Sequence, residues 1–349
     1  MKRFLIPTTL TFLALLGCFA RAGAQTVSAR AEDLHRPPGN GQPIPVSIAL
    51  HVMNLTDIDE VSERFNLMFY LLAQWHDPRL AFTPRDPSER FRVFTPDEVW
   101  HPRLEFVNAV SGRTSGDVMI RVGPRGNALY MERADARLST NFHLRRFPFD
   151  RQSLEIIIHP FIGQAHLLAF STDMDRTWIS AEEKVYSSLP EWQLLGINAR
   201  HNDVPMSKFG TVAEAHFEIR VKRKYHYYLW KIFLPLLLMV VLSWTVYWID
   251  TRDLSSQVQI SITTILTVIA FAFSISLSLP KVPYLTYIDA FFLVCLVFVF
   301  FTAIEMTTVH VSGRTRRRNL GVRIQRFSRV WVPIAFVICN AILALRYFG

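Results

Sequence analysis

Side chains that can solvate an ion recur every three or four residues along one long apolar segment, Gln257 to Pro280. The stripe is polar in its first half and apolar in its second, and it consists of Ser256, Gln259, Thr263, Leu266, Ala270 and Phe273. A polar stripe inside a membrane must face water or another polar stripe. One copy cannot enclose a water-filled path, but several copies arranged in a ring can.

The same segment has the length of a membrane helix, since a spanning helix needs about 20 residues. Its other faces carry apolar side chains that suit lipid or neighbouring protein, namely Val258, Ile260, Ile262, Ile265, Ile269 and Phe271. The alternative is a buried helix whose hydroxyls bond to their own backbone, as is common in membrane helices. On this segment alone, both interpretations stay open.

The chain offers no comparable set of residues for catalysis or for metal binding. No nucleophile, base and orienting group stand together, and the three cysteines (Cys18, Cys295 and Cys339) have no metal-type spacing. We therefore predict that the protein is not an enzyme, binds no cofactor or metal, and has no disulfide in its soluble part.

The composition favours a membrane protein. Hydrophobic residues make up 50% of the 349 residues, and the formal net charge is +9. A basic balance can indicate nucleic-acid binding, but here the cations cluster beside apolar spans, which is typical of membrane topology. We predict membrane lipids as partners and no nucleic acid.

The beginning of the chain, residues 1–24, resembles a secretory signal peptide. Lys2 and Arg3 supply the charged start, an apolar centre follows, and small residues at 22–24 form the cleavage site. The alternatives are a first transmembrane helix and a lipoprotein site at Cys18. Residues 25–43 are rich in proline, glycine and charge, which predicts a loose arm.

Residues 44–223 contain short runs with period-two alternation, such as 46–52, 154–158 and 215–221, and turn signals such as 124–127 separate them. Many short strands without intervening helical periods predict an all-β immunoglobulin-like sandwich.

An all-α transmembrane domain is predicted over residues 224–349. Four apolar spans follow one another, at about 229–249, 257–279, 284–304 and 330–347. The link 305–329 is rich in arginine, whereas the preceding link has only Lys281, so the arginine-rich link is predicted to be cytoplasmic. Both termini then lie outside, and the protein is predicted to be a multi-pass protein of the inner membrane.

The segment from Arg146 to Asp150, RFPFD, resembles the signature loop of the pentameric ligand-gated ion channels, the Cys-loop receptor superfamily. Further matches cover residues 44–349 and are Trp75–Leu80, Trp100–Pro102, Pro235 and Leu279–Tyr284. The two loop cysteines of animal members correspond to Thr140 and Leu154, and their absence resembles the bacterial pattern. The chain is most similar to the bacterial proton-gated and amine-gated channels.

This resemblance implies a homopentamer with the stripe from Ser256 to Phe273 on the lumen. Rings of Leu266 and Phe273 are expected to gate the path by dewetting. Asp253, Ser255 and Gln259 are expected to set the charge selectivity. The glutamate that cation-selective members carry at the mouth is missing, but we predict a preference for monovalent cations, with anion permeation as the alternative.

The resemblance also implies an agonist pocket between subunits, with Tyr70, Phe161 and the hairpin around Phe209 as an aromatic cage. Such cages bind cationic amines through the ring quadrupoles. His159 stands where the amine-gated channels have a carboxylate, which weakens the amine hypothesis. Glu63 corresponds to a proton-sensing carboxylate, so the predicted agonist is a small molecule or protons.

A coupling cluster between the domains is the last implication. Asp150 is expected to lie near Arg223 and near Asp59 or Glu60, so that opposite charges hold the domains in register. The remaining members are Pro148 and Phe149 in the signature loop and Pro280 and Lys281 after the pore helix. The alternative function is a membrane-anchored periplasmic binding protein that conducts no ions.

Overall fold

The computed structural model describes residues 34–349 except 40, 174, 180–188, 207–209, 250–252, 277–280 and 315–317. The predicted signal peptide therefore lies outside the described residues, as do Phe209 and Pro280. The predicted architecture, an all-β sandwich followed by four helices, is confirmed.

Eleven strands are described in the amino-terminal part of the chain. They are β1 (Ile44–Asp59), β2 (Arg64–His76), β3 (Arg92–Phe94), β4 (Leu104–Phe106), β5 (Thr114–Val122), β6 (Asn127–Ser139), β7 (Arg151–Pro160), β8 (Leu168–Thr172), β9 (Trp178–Ile179), β10 (Trp192–Met206) and β11 (Gly210–Arg223). One sheet has the order β3-β5-β6-β2-β1-β8, with β9 also paired to β1, and the other has the order β10-β11-β7-β4.

Apolar and polar residues alternate along the strands because every second side chain enters the core between the two sheets. Phe65, Phe69, Leu154 and Phe217 are fully buried there. The ring of Phe69 lies 5.2 Å from the ring of Phe106 across the core.

The β5–β6 hairpin turns at the predicted turn signal, residues 124–127. Gly126 has a φ of +81°, and a Cβ at this position would stand 2.4 Å from the backbone oxygen of Asp77. Only glycine fits this close approach.

Among the described residues, four helices follow the sandwich, and each is long and apolar enough to cross a membrane. They are α1 (His226–Trp248), α2 (Leu254–Ser276), α3 (Tyr287–Arg314) and α4 (Arg318–Phe348). A π-helical turn, Leu229–Phe233, lies near the start of α1.

The third and fourth helices extend well beyond the predicted apolar spans. Most of the predicted link 305–329 is helical, because α3 continues to Arg314 and α4 begins at Arg318. Hydropathy detects only the part of a helix that lies in hydrocarbon, whereas arginine has a high helix propensity and continues the helix into water.

Candidate functional site

The predicted pore stripe lies on one exposed face of α2. Gln259, Thr263 and Ala270 are exposed, as are Leu266 and Phe273, which are 65% and 70% accessible in the single chain. Ser256 is half-buried at the start of this face. The large apolar side chains of Leu266 and Phe273 thus point away from the other helices of the same chain. Only another copy of the chain or the surrounding medium can contact them.

The buried face of α2 is also polar, a feature that was not predicted from the sequence. Gln257, Ser261 and Thr264 are buried together with Val268. The amide of Gln257 donates to the backbone oxygen of Ile249 at 3.4 Å. This face packs inside the helix bundle, so the polar residues of α2 divide between two faces.

Threonine hydroxyls on α2 bond to the backbone, as the alternative interpretation of the segment requires. Thr264 donates to the oxygen of Ile260 at 2.8 Å, and Thr267 donates to that of Thr263 at 2.7 Å. Thr264 and Thr267 are not members of the predicted stripe. The stripe residues Gln259 and Thr263 have their side chains on the exposed face.

At the start of α2, Asp253 is exposed and caps the helix. Its Oδ1 accepts a hydrogen bond from the backbone nitrogen of Ser256 at 3.2 Å, which is the usual role of an N-cap aspartate. Hydrogen bonds from Ser256 lower the pKa of Asp253, so the carboxylate is charged at neutral pH. Ser255 is exposed beside it, and the preceding residues 250–252 lie outside the described part of the chain.

At the boundary between the domains, Arg223 binds two carboxylates. Its Nε donates to Asp150 Oδ1 at 2.9 Å and its Nη1 donates to Glu60 Oε1 at 2.7 Å. Arg223 and Asp150 are each about 1% exposed in their side chains, whereas Glu191, 3.8 Å from Arg223, is 58% exposed. Glu60, rather than Asp59, is the partner from the β1–β2 turn.

Aromatic rings complete the surroundings of Arg223. Its guanidinium carbon lies 4.1 Å from the ring centroid of Trp192 and 4.7 Å from that of Phe147. Burial by itself lowers the pKa of Arg223, but the neighbouring carboxylates of Asp150 and Glu60 outweigh burial and raise it above its ordinary value. Arg223 therefore stays cationic.

Hydrogen bonds close the signature loop at its base. The side chain of Gln152 accepts from the nitrogen of His143 at 3.0 Å and donates to the oxygen of His143 at 3.1 Å. Thr140, at one of the cysteine positions of animal members, donates its hydroxyl to the oxygen of Ser153 at 3.1 Å. Leu154, at the other position, is buried in the core.

The tip of the loop inserts Phe149 into the outer end of the helix bundle. Its ring lies 5.1 Å from Tyr225, 5.8 Å from Tyr287 and 5.6 Å from Phe348. These rings belong to the segments at the start of α1, the start of α3 and the end of α4. Pro148 beside it is buried.

Backbone contacts dock the same loop on the link between α2 and α3. The nitrogen of Tyr287 donates to the oxygen of Arg145 at 2.9 Å, and the nitrogen of Leu144 donates to the hydroxyl of Tyr284 at 3.1 Å. Lys281 is exposed and lines a cavity of about 270 Å³ together with Phe147.

The predicted pocket residues lie on different surfaces of the chain. Tyr70 is half-buried on β2, where its ring stacks on His51 with 6.0 Å between centroids. Phe161 is 43% exposed after β7, and no ring contact among the described residues joins it to Tyr70.

Two charged neighbours of the predicted pocket residues were not predicted. The Nε2 atom of His159 lies 2.9 Å from Glu214 Oε2 on the adjacent strand β11, so a carboxylate is present after all. The guanidinium of Arg103 lies 4.9 Å from the ring centroid of Phe161. Both contacts depend on which residues of neighbouring strands lie side by side, and alternation within one strand carries no such signal.

Glu63 is exposed in the β1–β2 turn, where its φ is +54°. Its backbone oxygen accepts from the nitrogen of Thr140 at 3.1 Å, which ties this turn to the signature loop. The neighbouring Asp59 binds Ser62, and these hydrogen bonds lower the pKa of Asp59.

Comparisons with known proteins agree with this architecture. The profile described as neurotransmitter-gated ion-channel ligand binding domain matches residues 27–225, and that of the corresponding transmembrane region matches residues 232–320. The proton-gated ion channel of Gloeobacter violaceus is 28% identical over 314 residues, which cover 90% of this chain and 86% of that protein.

Receptor subunits from animals are similar as well. The human gamma-aminobutyric acid receptor subunit rho-1 is 30% identical over 295 residues, which cover 82% of this chain and 61% of the subunit. The human rho-3 subunit is 28% identical over 305 residues, covering 85% of this chain and 64% of the subunit. With both domains matched in order, the chain belongs to the neurotransmitter-gated ion-channel family and is a pentameric-type ligand-gated ion channel that crosses the membrane several times.

Proposed function

We propose that this chain forms a homopentameric, cation-permeable channel of the inner membrane, opened by a small molecule or by protons that act on the extracellular domain. The observation that carries the proposal is the exposed face of α2, on which Gln259 and Thr263 precede Leu266 and Phe273. Five such faces around an axis would give a hydroxyl and amide zone followed by two apolar rings. Oxygen atoms of the first zone can replace water around a cation, and the rings can close the path by dewetting.

The sign of the permeating ion follows from Asp253. It is an exposed, ionised carboxylate at the start of α2, and five copies would form an acidic ring that concentrates cations. Anion permeation is the second candidate, because the side chains of Gln259 and Thr263 can also donate hydrogen bonds to an anion.

Reversal potentials of purified protein in a planar bilayer with asymmetric NaCl test the proposal. A reversal potential close to that of sodium is expected. A value at the chloride equilibrium potential would establish the anion-permeable alternative, and absence of current under every agonist and pH would favour the non-conducting binding protein.

The charges around the candidate pocket favour protons or a ligand with an acidic group over a simple amine. The ring of Phe161 already has the Arg103 guanidinium over it, so a cationic ligand would meet a like charge there. Glu214 already has His159 as a partner, with 2.9 Å between Nε2 and Oε2, so this carboxylate offers little to a simple amine. A screen of carboxylate-bearing small molecules and of external pH, read as current, would identify the agonist class.

A further inference from the structure

The end of α1 is held by side chains of α4. The last turn of α1, Thr245–Trp248, is a 3₁₀ turn, and Ile249 then leaves the helix with an extended backbone. Carbonyl oxygens in the last turn of a helix have no partner within that helix. The Nε of Arg329 donates to the oxygen of Tyr247 at 2.8 Å. The amide of Gln325 donates to the oxygen of Ile249 at 3.0 Å.

Both donors suit this position chemically. Arg329 brings a positive charge to the carboxyl end of α1, where the helix dipole is negative, and its guanidinium carbon lies 5.7 Å from the ring centroid of Trp248. Gln325 is 8% exposed, so its bond forms away from water, where a lost partner is costly. Arg326, the preceding arginine of α4, is exposed instead.

The oxygen of Ile249 also connects α1 to the start of α2. The side-chain amide of Gln257, which is 2% exposed, donates to it at 3.4 Å. Two amides, one from α2 and one from α4, thus share one carbonyl oxygen with its two lone pairs. The backbone nitrogen of Gln257 in turn donates to the oxygen of Asp253 at 3.4 Å. A continuous set of hydrogen bonds therefore leads from Gln325 on α4 to Asp253.

The strength of an acidic ring depends on where its carboxylates stand. The interaction between two charges falls with distance and is screened by salt beyond about 10 Å at 0.1 M, so a displaced Asp253 affects a passing ion less. Asp253 is the fourth residue after Ile249, and its Oδ1 and backbone oxygen both accept bonds from the first turn of α2. Its position therefore follows from those of α2 and Ile249.

We propose that Gln325 and Arg329 of α4 are positioning residues for the charge selectivity of the channel. They fix the end of α1, and through Ile249 and Gln257 they hold Asp253 at the mouth of the path. This role rests on the proposed function, in which five copies of Asp253 form the acidic ring. Neither α4 residue belongs to the stripe on α2, so selectivity depends on a helix that does not line the path.

The test measures reversal potentials of the full-length channel in asymmetric NaCl after the α4 donors are removed. Gln325→Met and Arg329→Met keep an unbranched side chain but have no N–H group on it. Both are expected to shift the reversal potential toward zero, and unchanged values in both would overturn the proposal. The fold should persist, because the hydroxyl of Tyr247 also donates to Thr302 of α3 at 3.2 Å.

Two controls separate positioning from charge. Arg326→Met removes a positive charge from the same part of α4 and should leave the reversal potential unchanged. Arg329→Gln loses the charge but keeps a nitrogen donor at the same place along the side chain as Nε, so it should restore the selectivity that Arg329→Met loses. An equal shift in Arg326→Met and Arg329→Met would show a general effect of charge and would contradict the proposal.

An Asp253→Asn background separates this role from the proposed function. If α4 acts through the acidic ring, adding Gln325→Met to Asp253→Asn should cause no further shift of the reversal potential. A further shift, or a shift in Asp253→Asn but none in Gln325→Met, would refute the role of α4 alone. No shift in Asp253→Asn would refute the acidic ring of the proposed function, and the role of α4 with it.

Hydrogen exchange followed by mass spectrometry tests the same contact without any current. Gln325→Met should make the backbone amides at the start of α2 exchange about fivefold faster, as expected when one hydrogen bond is lost. Arg326→Met should leave their exchange unchanged. Equal exchange in Gln325→Met and the unmodified protein would show that α4 does not hold the start of α2, and would overturn the proposal whichever ion the channel conducts.

Discussion

The guanidinium of Arg223 donates two hydrogen bonds to Asp150, from Nε to Oδ1 at 2.9 Å and from Nη2 to Oδ2 at 3.3 Å. Its third nitrogen donates to Glu60. Arg223 is the last residue of β11, Asp150 ends the signature loop and Glu60 lies in the β1–β2 turn. One buried cation therefore joins three segments of the sandwich directly above α1.

Breaking this cluster is expected to impair gating or assembly more than agonist binding. Asp150→Ala leaves Arg223 buried beside only one carboxylate, which costs about 3–5 kcal/mol for a buried pair. Glu191→Gln is the control, since the exposed Glu191 is expected to contribute less than about 1 kcal/mol. A double-mutant cycle with Arg223→Ala should be strongly non-additive; additive free energies of unfolding would show that the two residues do not interact.

Leu266 is expected to form the hydrophobic gate. Leu266→Ser would hydrate the narrow part of the path and produce leak current or greater agonist sensitivity, measured in a planar bilayer. Ile262→Ser is the matched control, because Ile262 is about as exposed, at 60%, but lies outside the stripe. Unchanged activation without leak in Leu266→Ser would move the gate to Phe273.

Two substitutions of Asp253 separate the effect of its charge on selectivity from its effect as a helix cap. Asn caps a helix about as well as Asp, so Asp253→Asn should keep α2 intact and reduce the cation preference, whereas Asp253→Lys should nearly invert it. Reversal potentials in asymmetric NaCl measure both effects. An unchanged reversal potential in Asp253→Lys would exclude this residue from the selectivity filter.

His101 is expected to make the extracellular domain less stable in acid. Burial lowers the pKa of His101, whose ring stacks on Tyr130 with 5.5 Å between centroids. The unfolded chain then binds the proton more readily, so stability decreases as the pH falls below about 6.5, the ordinary histidine value. His101→Gln should reduce the difference in midpoint temperature between pH 7.5 and pH 5.

The exposed His166 provides the comparison for that measurement. His166→Gln removes a histidine that is not buried, and its midpoint temperatures at pH 7.5 and pH 5 are the reference for those of His101→Gln. If the two variants behave alike, the acid sensitivity arises from other groups.

Glu305 on α3 is a buried carboxylate, 7% exposed, whose two oxygens lack a hydrogen bond of normal geometry to any described residue. Burying a polar group without partners is unfavourable. Glu305→Met should therefore raise the free energy of unfolding by about 1–3 kcal/mol, which a thermal shift in detergent would detect. Glu105→Met, at an exposed position, should change stability by less than about 0.5 kcal/mol. Destabilisation by Glu305→Met would show instead that the neighbouring hydroxyls of Tyr247 and Ser328 bind this carboxylate.

The sequence predicts those features that local periodicity determines. Alternation within strands indicated the sandwich, and the spacing along 257–280 selected side chains that share the exposed face of α2. Partners from distant parts of the chain could not be read in this way. Glu214 beside His159 and Arg103 over Phe161 depend on how neighbouring strands and loops lie side by side, which periodicity leaves undetermined.

Resemblance to a family supplied a different kind of information. It grouped Asp150, Arg223 and Glu60, which are far apart along the chain, and these residues are in contact, although their role in coupling stays a prediction. It could not indicate what replaces the two cysteines, because Gln152 is one polar residue among many in the sequence. The resemblance also did not reveal the buried polar face of α2. The residues of that face, such as Gln257, are of the same types as those of the exposed stripe, so the sequence does not distinguish the two faces.

The glutamine at the base of the signature loop determines the chemical conditions under which the loop keeps its shape. Gln152 bonds to the backbone nitrogen and oxygen of His143, and Thr140 adds a hydrogen bond to Ser153, so hydrogen bonds connect the base of this loop. A disulfide in the same place would require an oxidising catalyst during assembly and would open in a strong reductant. With amide and hydroxyl groups in that position, this loop matures without thiol oxidation and is indifferent to the redox potential of its surroundings.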